Sequence, residues 1–175
     1  MDRSGLLTGS RILASIVPIT LAILGVMIAN TPVSFLGGFL PAPLLGLMPV
    51  YFWCLVRPDL MSPIMAFIIG LLEDVLCGGP PGVWTVAFVA TYALVDRQRD
   101  AFAGLSGWGA ILGFATAAAT ACATAYIVEA VYYWHMLPLA PVMGELAISV
   151  FFYLPAAVVL GFVHRRLVGP LRSDF

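Results

Sequence analysis

The sequence predicts an all-α integral membrane protein, and three observations lead to this class. The 175 residues are 62% hydrophobic and 10% charged, with a mean hydropathy of +1.04. Soluble domains contain about 45–50% apolar and about 25% charged residues. The charged residues also divide the chain into long uncharged stretches, and the arginines lie at the ends of these stretches. We therefore expect a single transmembrane domain over 1–175, with six helices.

The bounds of the predicted helices follow from the uncharged stretches and from the turn-forming residues that interrupt them. The first stretch, 12–56, is long enough for two crossings, because one crossing needs about 20 apolar residues. Its middle, 30–43, is rich in Pro, Gly and Asn, which favour a turn. The next part of the chain, 60–95, is predicted to form two short helices. Pro80 and Pro81 lie in its middle and make one continuous helix unfavourable. The six predicted helices cover 12–29, 40–56, 60–76, 83–95, 105–128 and 146–164.

The arginines predict how the helices are oriented. All eight cationic side chains are arginines, and with six crossings they all lie on one side of the membrane. The positive-inside rule identifies that side as the cytoplasm. A five-crossing layout would place arginine clusters outside, so we expect six crossings with both termini in the cytoplasm. The eight residues are Arg3, Arg11, Arg57, Arg97, Arg99, Arg165, Arg166 and Arg172.

Composition and motifs exclude several functional classes. A net charge of −1 and a pI near 6.0 give no basic surface for nucleic acid. Cys54, Cys77 and Cys122 lie far apart in apolar stretches, which argues against a disulfide scaffold. His135 and His164 belong to no Cys/His cluster with metal-ligand spacing. We therefore expect no enzymatic activity, no metal and no cofactor.

Two adjacent carboxylates, Glu73 and Asp74, fall near the end of the third predicted helix. Counted from Leu60, Asp74 lies about 21 Å along the helix, whereas the hydrocarbon core is about 30 Å thick. A charge in lipid costs at least about 2.5–3.5 kcal/mol, and irregular backbone at that depth must be covered by protein or face a water-filled cavity. This position predicts a polar pocket or docking notch, or else a helix end capped near the interface. Asp74 is the better candidate for a role.

The fifth predicted helix carries a small residue at every fourth position. Such a ridge lets another helix approach closely, which drives helix association in lipid. We expect it to pack within the bundle or against another subunit or protein, so that a monomer and a homodimer both stay open. Thr116, Thr120 and Thr124 form a neighbouring polar row that could hydrogen-bond across the contact. The ridge consists of Gly109, Gly113, Ala117, Ala121 and Ala125.

A motif in the centre of the chain is more specific than these patterns. It reads RPDLM at 57–61, followed by GLLEDVLCGGPPG at 70–82. This resembles the MreD family of rod shape-determining proteins, which typically has an Arg-Pro step, then Gly-Leu-Leu-x-Asp, then Gly-x-Pro-Leu-Gly. Pro81 stands where the family usually has leucine. The matching positions are Arg57, Pro58, Gly70, Leu71, Leu72, Asp74, Gly78 or Gly79, Pro80 and Gly82.

The resemblance implies a non-enzymatic component of the bacterial elongation machinery in the inner membrane. Proteins similar to MreD work with the bitopic protein MreC, the actin-like MreB filament, RodA and a class B penicillin-binding protein. Their fold resembles the substrate-binding components of energy-coupling-factor vitamin transporters. The leading hypothesis is therefore a scaffold that holds the MreC membrane helix and so regulates peptidoglycan synthesis and cell shape, with membrane lipid as its surroundings.

Two other functions are alternatives to the scaffold. The alternative is the substrate-binding membrane component of a small-molecule, vitamin-type transporter. It predicts an outer pocket near Asp74, Trp84, Glu129 and His135. A proton-linked carrier ranks last, because carboxylates on one side of the membrane form no relay across it.

Overall fold

The computed structural model describes residues 3–31, 41–99, 101 and 108–168, and side-chain surroundings for 16–31, 41–99, 101 and 109–168. Within these residues the chain forms six α-helices and no strand, which confirms the all-α class. A short π-helix, His164–Val168, continues the last α-helix. The six helices are α1 (Arg3–Ala29), α2 (Leu47–Val56), α3 (Pro63–Cys77), α4 (Val83–Arg97), α5 (Trp108–Tyr133) and α6 (Leu139–Val163).

Several helix boundaries differ from the predicted ones. α5 continues through Glu129 and α6 begins before Glu145, because a single ionisable residue does not stop a helix whose other residues favour it. α1 likewise begins at Arg3 rather than at 12. α2 begins only at Leu47, because Pro41 and Pro43 lie in irregular backbone that extends the preceding connection.

α2 is the centre of the bundle. It packs against α1, α4, α5 and α6, and most of its residues are buried. The ring of Tyr51 meets Phe114 of α5 and Tyr153 of α6 edge-on, with centroids 5.5 and 5.7 Å apart. Phe114 and Tyr153 are stacked at 4.0 Å. This aromatic cluster joins three helices in the core, where such pairs add about 0.5–1.5 kcal/mol to the free energy of burial.

The other helices surround α2. α1 packs on α3, α3 on α4, α4 on α5 and α5 on α6, while the π-helix returns to α1. Large apolar side chains cover the outer surfaces, for example Ile64, which is 67% exposed, and Val158, which is 71% exposed. Contiguous exposed apolar surface of this kind marks a protein that contacts other apolar material, such as lipid or a partner.

Two helical segments are long and apolar enough to cross a membrane, Gly109–Tyr133 and Leu139–Val168. Ile16–Ala29 and Leu47–Val56 are shorter apolar segments. α3 and α4 have 15 residues each. At 1.5 Å per residue each is about 22 Å long.

The small-residue ridge of α5 is used inside the bundle. Gly113, Ala117, Ala121 and Ala125 are buried against the rest of the chain, and Gly109 is half-buried. These buried residues therefore pack within the chain itself.

Within the chain, the threonine row donates its hydrogen bonds along its own helix. Thr116, Thr120 and Thr124 donate to the carbonyls of Gly113, Thr116 and Thr120, all on their own helix, at 2.7–2.8 Å. A threonine hydroxyl in a helix can donate to the carbonyl of the preceding turn, and this local bond competes with donation across a helix contact.

Candidate functional site

The break between α3 and α4 is the candidate site, and two glycines give it its shape. Gly78 ends α3 with φ +67°, and Gly82 precedes α4 with φ +94°. A Cβ on either glycine would meet nothing within 4 Å, so space does not require glycine there. Glycine is favoured at both positions by the left-handed backbone conformation, which costs any other L-residue about 1–2 kcal/mol. Gly79, Pro80 and Pro81 complete the connection between the two helices.

The Asp74 carboxylate binds the first turn of α4. Its Oδ2 accepts hydrogen bonds from the amides of Gly82 and Thr85, both at 3.0 Å, and from the Thr85 hydroxyl. Its Oδ1 accepts from the Trp84 amide at 2.8 Å. The first amides of a helix have no partner within it, and they attract negative charge. Because Gly82 has no side chain to cap α4, a carboxylate from the preceding helix does so.

Gly70 brings the same face of α3 against α4. A Cβ at Gly70 would lie 2.8 Å from both the Trp84 carbonyl oxygen and the Thr85 Cα. These are backbone atoms, which cannot turn aside as the end of a side chain can. Gly70 and Asp74 are one turn apart, so close packing and capping act on the same turn of α4.

Glu73 is also buried, but it faces other elements. Its Oε1 accepts a hydrogen bond from Asn30 Nδ2 at 2.7 Å, and Asn30 also donates to the Val26 carbonyl at 3.0 Å. The other carboxylate oxygen lies 3.5 Å from a Cβ placed on Gly46. Glu73 therefore joins α3 to the end of α1 and the start of α2. The sequence indicated Asn30 only as a turn residue.

The segment 41–46 is held between α1 and α6. The Leu44 amide donates to Ser149 Oγ at 2.9 Å, and this hydroxyl donates to the Glu145 carbonyl at 2.6 Å. On the other side, a Cβ at Gly25 would lie 2.6 Å from the Leu45 carbonyl oxygen. Ser149 was missed by sequence reasoning, because a lone serine in an apolar helix carries no signal of its partner.

The Arg-Pro step forms the connection between α2 and α3. Arg57 donates from Nε and Nη2 to the two oxygens of Asp59, at 2.9 and 2.8 Å, and Pro58 lies between them. These bonds hold the pKa of Asp59 below its usual value and raise the pKa of Arg57. Tyr92 of α4 donates to the Met61 carbonyl at 2.8 Å, which fixes the connection against the bundle.

The polar groups of the site are thus engaged in holding the fold. Asp74, which the transporter alternative places in a ligand pocket, already accepts four hydrogen bonds. Among the described residues no three His, Cys, Asp or Glu side chains form a group that could hold a metal ion. His135 lies in the connection between α5 and α6, 3.0 Å from the Tyr133 carbonyl, and His164 lies against Phe52.

Comparison with protein families identifies the family of the chain. The family model for rod shape-determining protein MreD matches residues 10–104, more than half of the chain. The matched region contains the Arg-Pro step and the whole break between α3 and α4. Comparisons with curated proteins and with solved structures gave no match. The chain therefore belongs to the MreD family of rod shape-determining membrane proteins.

Proposed function

We propose that this protein is a non-enzymatic scaffold of the bacterial elongation complex, which holds MreC in the inner membrane and so regulates peptidoglycan synthesis and cell shape. RodA, the class B penicillin-binding protein and MreB are reached through MreC. The observation that carries the proposal is family membership combined with a site whose carboxylate, Asp74, is engaged in joining two helices.

The contacts of the site support a rigid frame rather than a reactive centre. Asp74 binds backbone amides, and Glu73 binds a side-chain amide of α1. Gly70 adds a close approach between α3 and α4. Outside this site, the outer surfaces of the helices are covered by exposed apolar side chains. Such surfaces can pack against another membrane helix.

We further propose six crossings with both termini in the cytoplasm. The ring of Phe52, near the end of α2, lies against the ring of His164 at the end of α6, with centroids 6.2 Å apart. Tyr92 of α4 donates to the Met61 carbonyl, in the connection that follows α2. These contacts support one common end for α2, α4 and α6, where Arg57, Arg97 and Arg165 lie. The likeness of the bundle to vitamin-transporter components stays a prediction.

Thiol labelling tests the topology. Met136, in the connection between α5 and α6, is 82% exposed, so a Met136→Cys variant offers an accessible thiol. Cys77 is exposed and is first replaced by serine, whereas Cys54 and Cys122 are buried. A membrane-impermeant maleimide should label this variant in intact spheroplasts. Labelling only after the spheroplasts are opened would show that the layout is inverted or miscounted.

Depletion tests the function. We expect rod-shaped cells to become spheres when this protein is depleted, and MreC to co-purify with the tagged protein from detergent-solubilised membranes. Re-expression of the wild-type chain should restore rods. Cells that stay rod-shaped after depletion, with no MreC recovered, would overturn the proposal.

A further inference from the structure

Two arginines at the end of α6 lie on the outer surface without an acidic partner. His164 turns its ring toward Phe52 of α2, with centroids 6.2 Å apart, whereas the next two residues, Arg165 and Arg166, are exposed. Within the part of the chain that the structure describes, neither arginine forms an ion pair. The described residues therefore leave two positive charges uncompensated at this end of the bundle.

The other arginines whose side-chain surroundings are described have an acid beside them. Arg57 donates to both carboxylate oxygens of Asp59, and Arg99 lies 3.9 Å from Asp96. Arg97 directly follows Asp96 in the chain. An anion that approaches any of these arginines also meets a carboxylate, which repels it. The end of α6 instead offers an anion two guanidinium groups with no competing carboxylate among the described residues.

An apolar stripe leads from these arginines along the outer face of α6. Leu154, Val158 and Phe162 are spaced four residues apart, so they share one face of the helix, and they are 46%, 71% and 53% exposed. The Arg166 guanidinium lies over the Phe162 ring, 5.1 Å from its centroid, which places the charge at the end of the stripe. From Leu154 to Arg166 the helix rises about 18 Å. One leaflet contributes about 15 Å to a hydrocarbon core of about 30 Å, so the stripe has the length of one leaflet.

This combination of charge and apolar surface matches an anionic phospholipid. A guanidinium binds phosphate through paired hydrogen bonds, because its donors form a planar fork. An acyl chain that is attached to the phosphate can then lie along the stripe. A free phosphate ion makes no use of the stripe, and an acidic peptide would stay in the water beyond it. A zwitterionic headgroup brings its own cation to the two arginines, whereas an anionic headgroup does not.

We propose that Arg165 and Arg166 bind the phosphate of an anionic phospholipid, whose acyl chain lies on Leu154, Val158 and Phe162. The site ties the end of α6 to anionic lipid in one leaflet. It goes beyond the scaffold function proposed above, because it requires α6 to lie in the membrane but requires no particular partner protein.

Native mass spectrometry of the full-length protein in detergent tests the charge requirement. Phosphatidylglycerol or phosphatidylcholine is added, and the bound lipid molecules are counted. We expect phosphatidylglycerol to bind the wild type about tenfold more tightly than phosphatidylcholine. The double variant Arg165→Gln/Arg166→Gln should bind phosphatidylglycerol about thirtyfold more weakly, about fivefold for each arginine. Equal binding of the two lipids, or unchanged binding by the double variant, would overturn the proposal.

Matched variants separate a defined site from a general effect of charge. Arg97→Gln removes an exposed arginine that lies beside Asp96, so it should leave the binding unchanged. Arg165→Lys/Arg166→Lys keeps both charges and should weaken the binding less than the glutamine variant does. All three variants should keep the wild-type melting temperature in lipid-free detergent, since these side chains are exposed. An equal loss of binding with Arg97→Gln, or displacement of the lipid by inorganic phosphate at equal concentration, would overturn the proposal.

Photo-cross-linking in intact cells identifies the occupant. Benzoylphenylalanine is placed at Val158 on the stripe, or at Ile64 on α3 as the matched control, since the two positions are 71% and 67% exposed. We expect phosphatidylglycerol to make up a larger share of the lipid adducts from position 158 than from position 64. The same lipid composition at both positions, or an adduct of position 158 with a protein, would overturn the proposal.

The failure of this inference is distinguishable from the failure of the proposed function. If phosphatidylglycerol binds as expected but the wild-type protein recovers no MreC, the scaffold proposal falls and the lipid site stands. If MreC is recovered but the double glutamine variant binds phosphatidylglycerol as the wild type does, the lipid site falls and the scaffold proposal stands.

Discussion

Thr85 binds the carboxylate of Asp74 twice, through its backbone amide at 3.0 Å and through its hydroxyl. The two residues belong to consecutive helices that are separated by a Gly-Gly-Pro-Pro-Gly connection. One side chain thus caps a helix to which it does not belong. The orientation of α4 relative to α3 therefore depends on a carboxyl group that is buried in the bundle.

Asp74→Ala should destabilise the protein by about 3 kcal/mol, because it leaves several buried donors unpaired at about 1–3 kcal/mol each. The melting temperature in detergent, followed by circular dichroism, measures the loss. Glu73→Gln is the matched control, since glutamine keeps an oxygen that accepts from Asn30. Equal melting temperatures for Asp74→Ala and wild type would show that the cap contributes nothing.

Gly70→Ala should cost about 1–3 kcal/mol, as overpacking usually does. The added methyl group would lie 2.8 Å from backbone atoms of Trp84 and Thr85, so α3 and α4 must separate. Gly161→Ala is the control, because a Cβ there meets nothing within 4 Å. If both variants unfold at the same denaturant concentration, the helices are less closely packed than described.

Gly82→Ala should lower the free energy of unfolding by about 1–2 kcal/mol, the cost of a left-handed backbone for an L-residue. Gly79→Ala in the same connection should be close to neutral, because Gly79 has no positive φ and its Cβ would make an ordinary 3.6 Å contact with Cys77 Sγ. Thermal unfolding of the two variants side by side makes the comparison. A larger loss for Gly79→Ala would contradict the assigned turn.

Ser149→Ala should cost about 1–3 kcal/mol, because the buried Leu44 amide loses its acceptor. Hydrogen exchange of the Leu44 amide should also become faster. Thr20→Ala serves as the comparison, since the exposed Thr20 hydroxyl bonds only to Ile16 in its own helix. Unchanged protection of Leu44 would mean that Ser149 does not hold the segment 41–46.

Asp59→Asn should destabilise the protein at neutral pH by less than about 1 kcal/mol, because the pair with Arg57 is partly exposed. The folded pKa of Asp59 lies below its unfolded value. Its contribution is therefore present above the unfolded pKa, near 4, and is lost as the pH falls through the folded pKa. The difference in melting temperature between variant and wild type should accordingly shrink in acid. A constant difference across this range would exclude the ion pair as its cause.

The sequence predicted the break between α3 and α4 because proline chemistry is local. Two consecutive prolines, Pro80 and Pro81, disfavour a continuous helix, because Pro81 also forces Pro80 out of the helical region. A carboxylate in an apolar stretch needs a partner. The same argument applied to Glu73 as much as to Asp74, and both side chains are buried. The partners of Asp74 could not be predicted, since they depend on how the connection folds back to bring Thr85 within reach.

Other features were beyond a reading of composition and spacing. The late start of α2 was missed because buried irregular backbone is as apolar as a helix, and the residues 41–46 carry no charge. Ser149 and Asn30 were missed because their partners lie 105 and 43 residues away along the chain. Such pairings arise only when the helices are assembled.

The burial of α2 by helices from both halves of the chain has a consequence for biosynthesis. When the ribosome has produced only α1 to α4, Tyr51 still lacks Phe114 and Tyr153, the two rings that cover it. The nascent protein must therefore persist with an unfinished interior until its last helix is inserted.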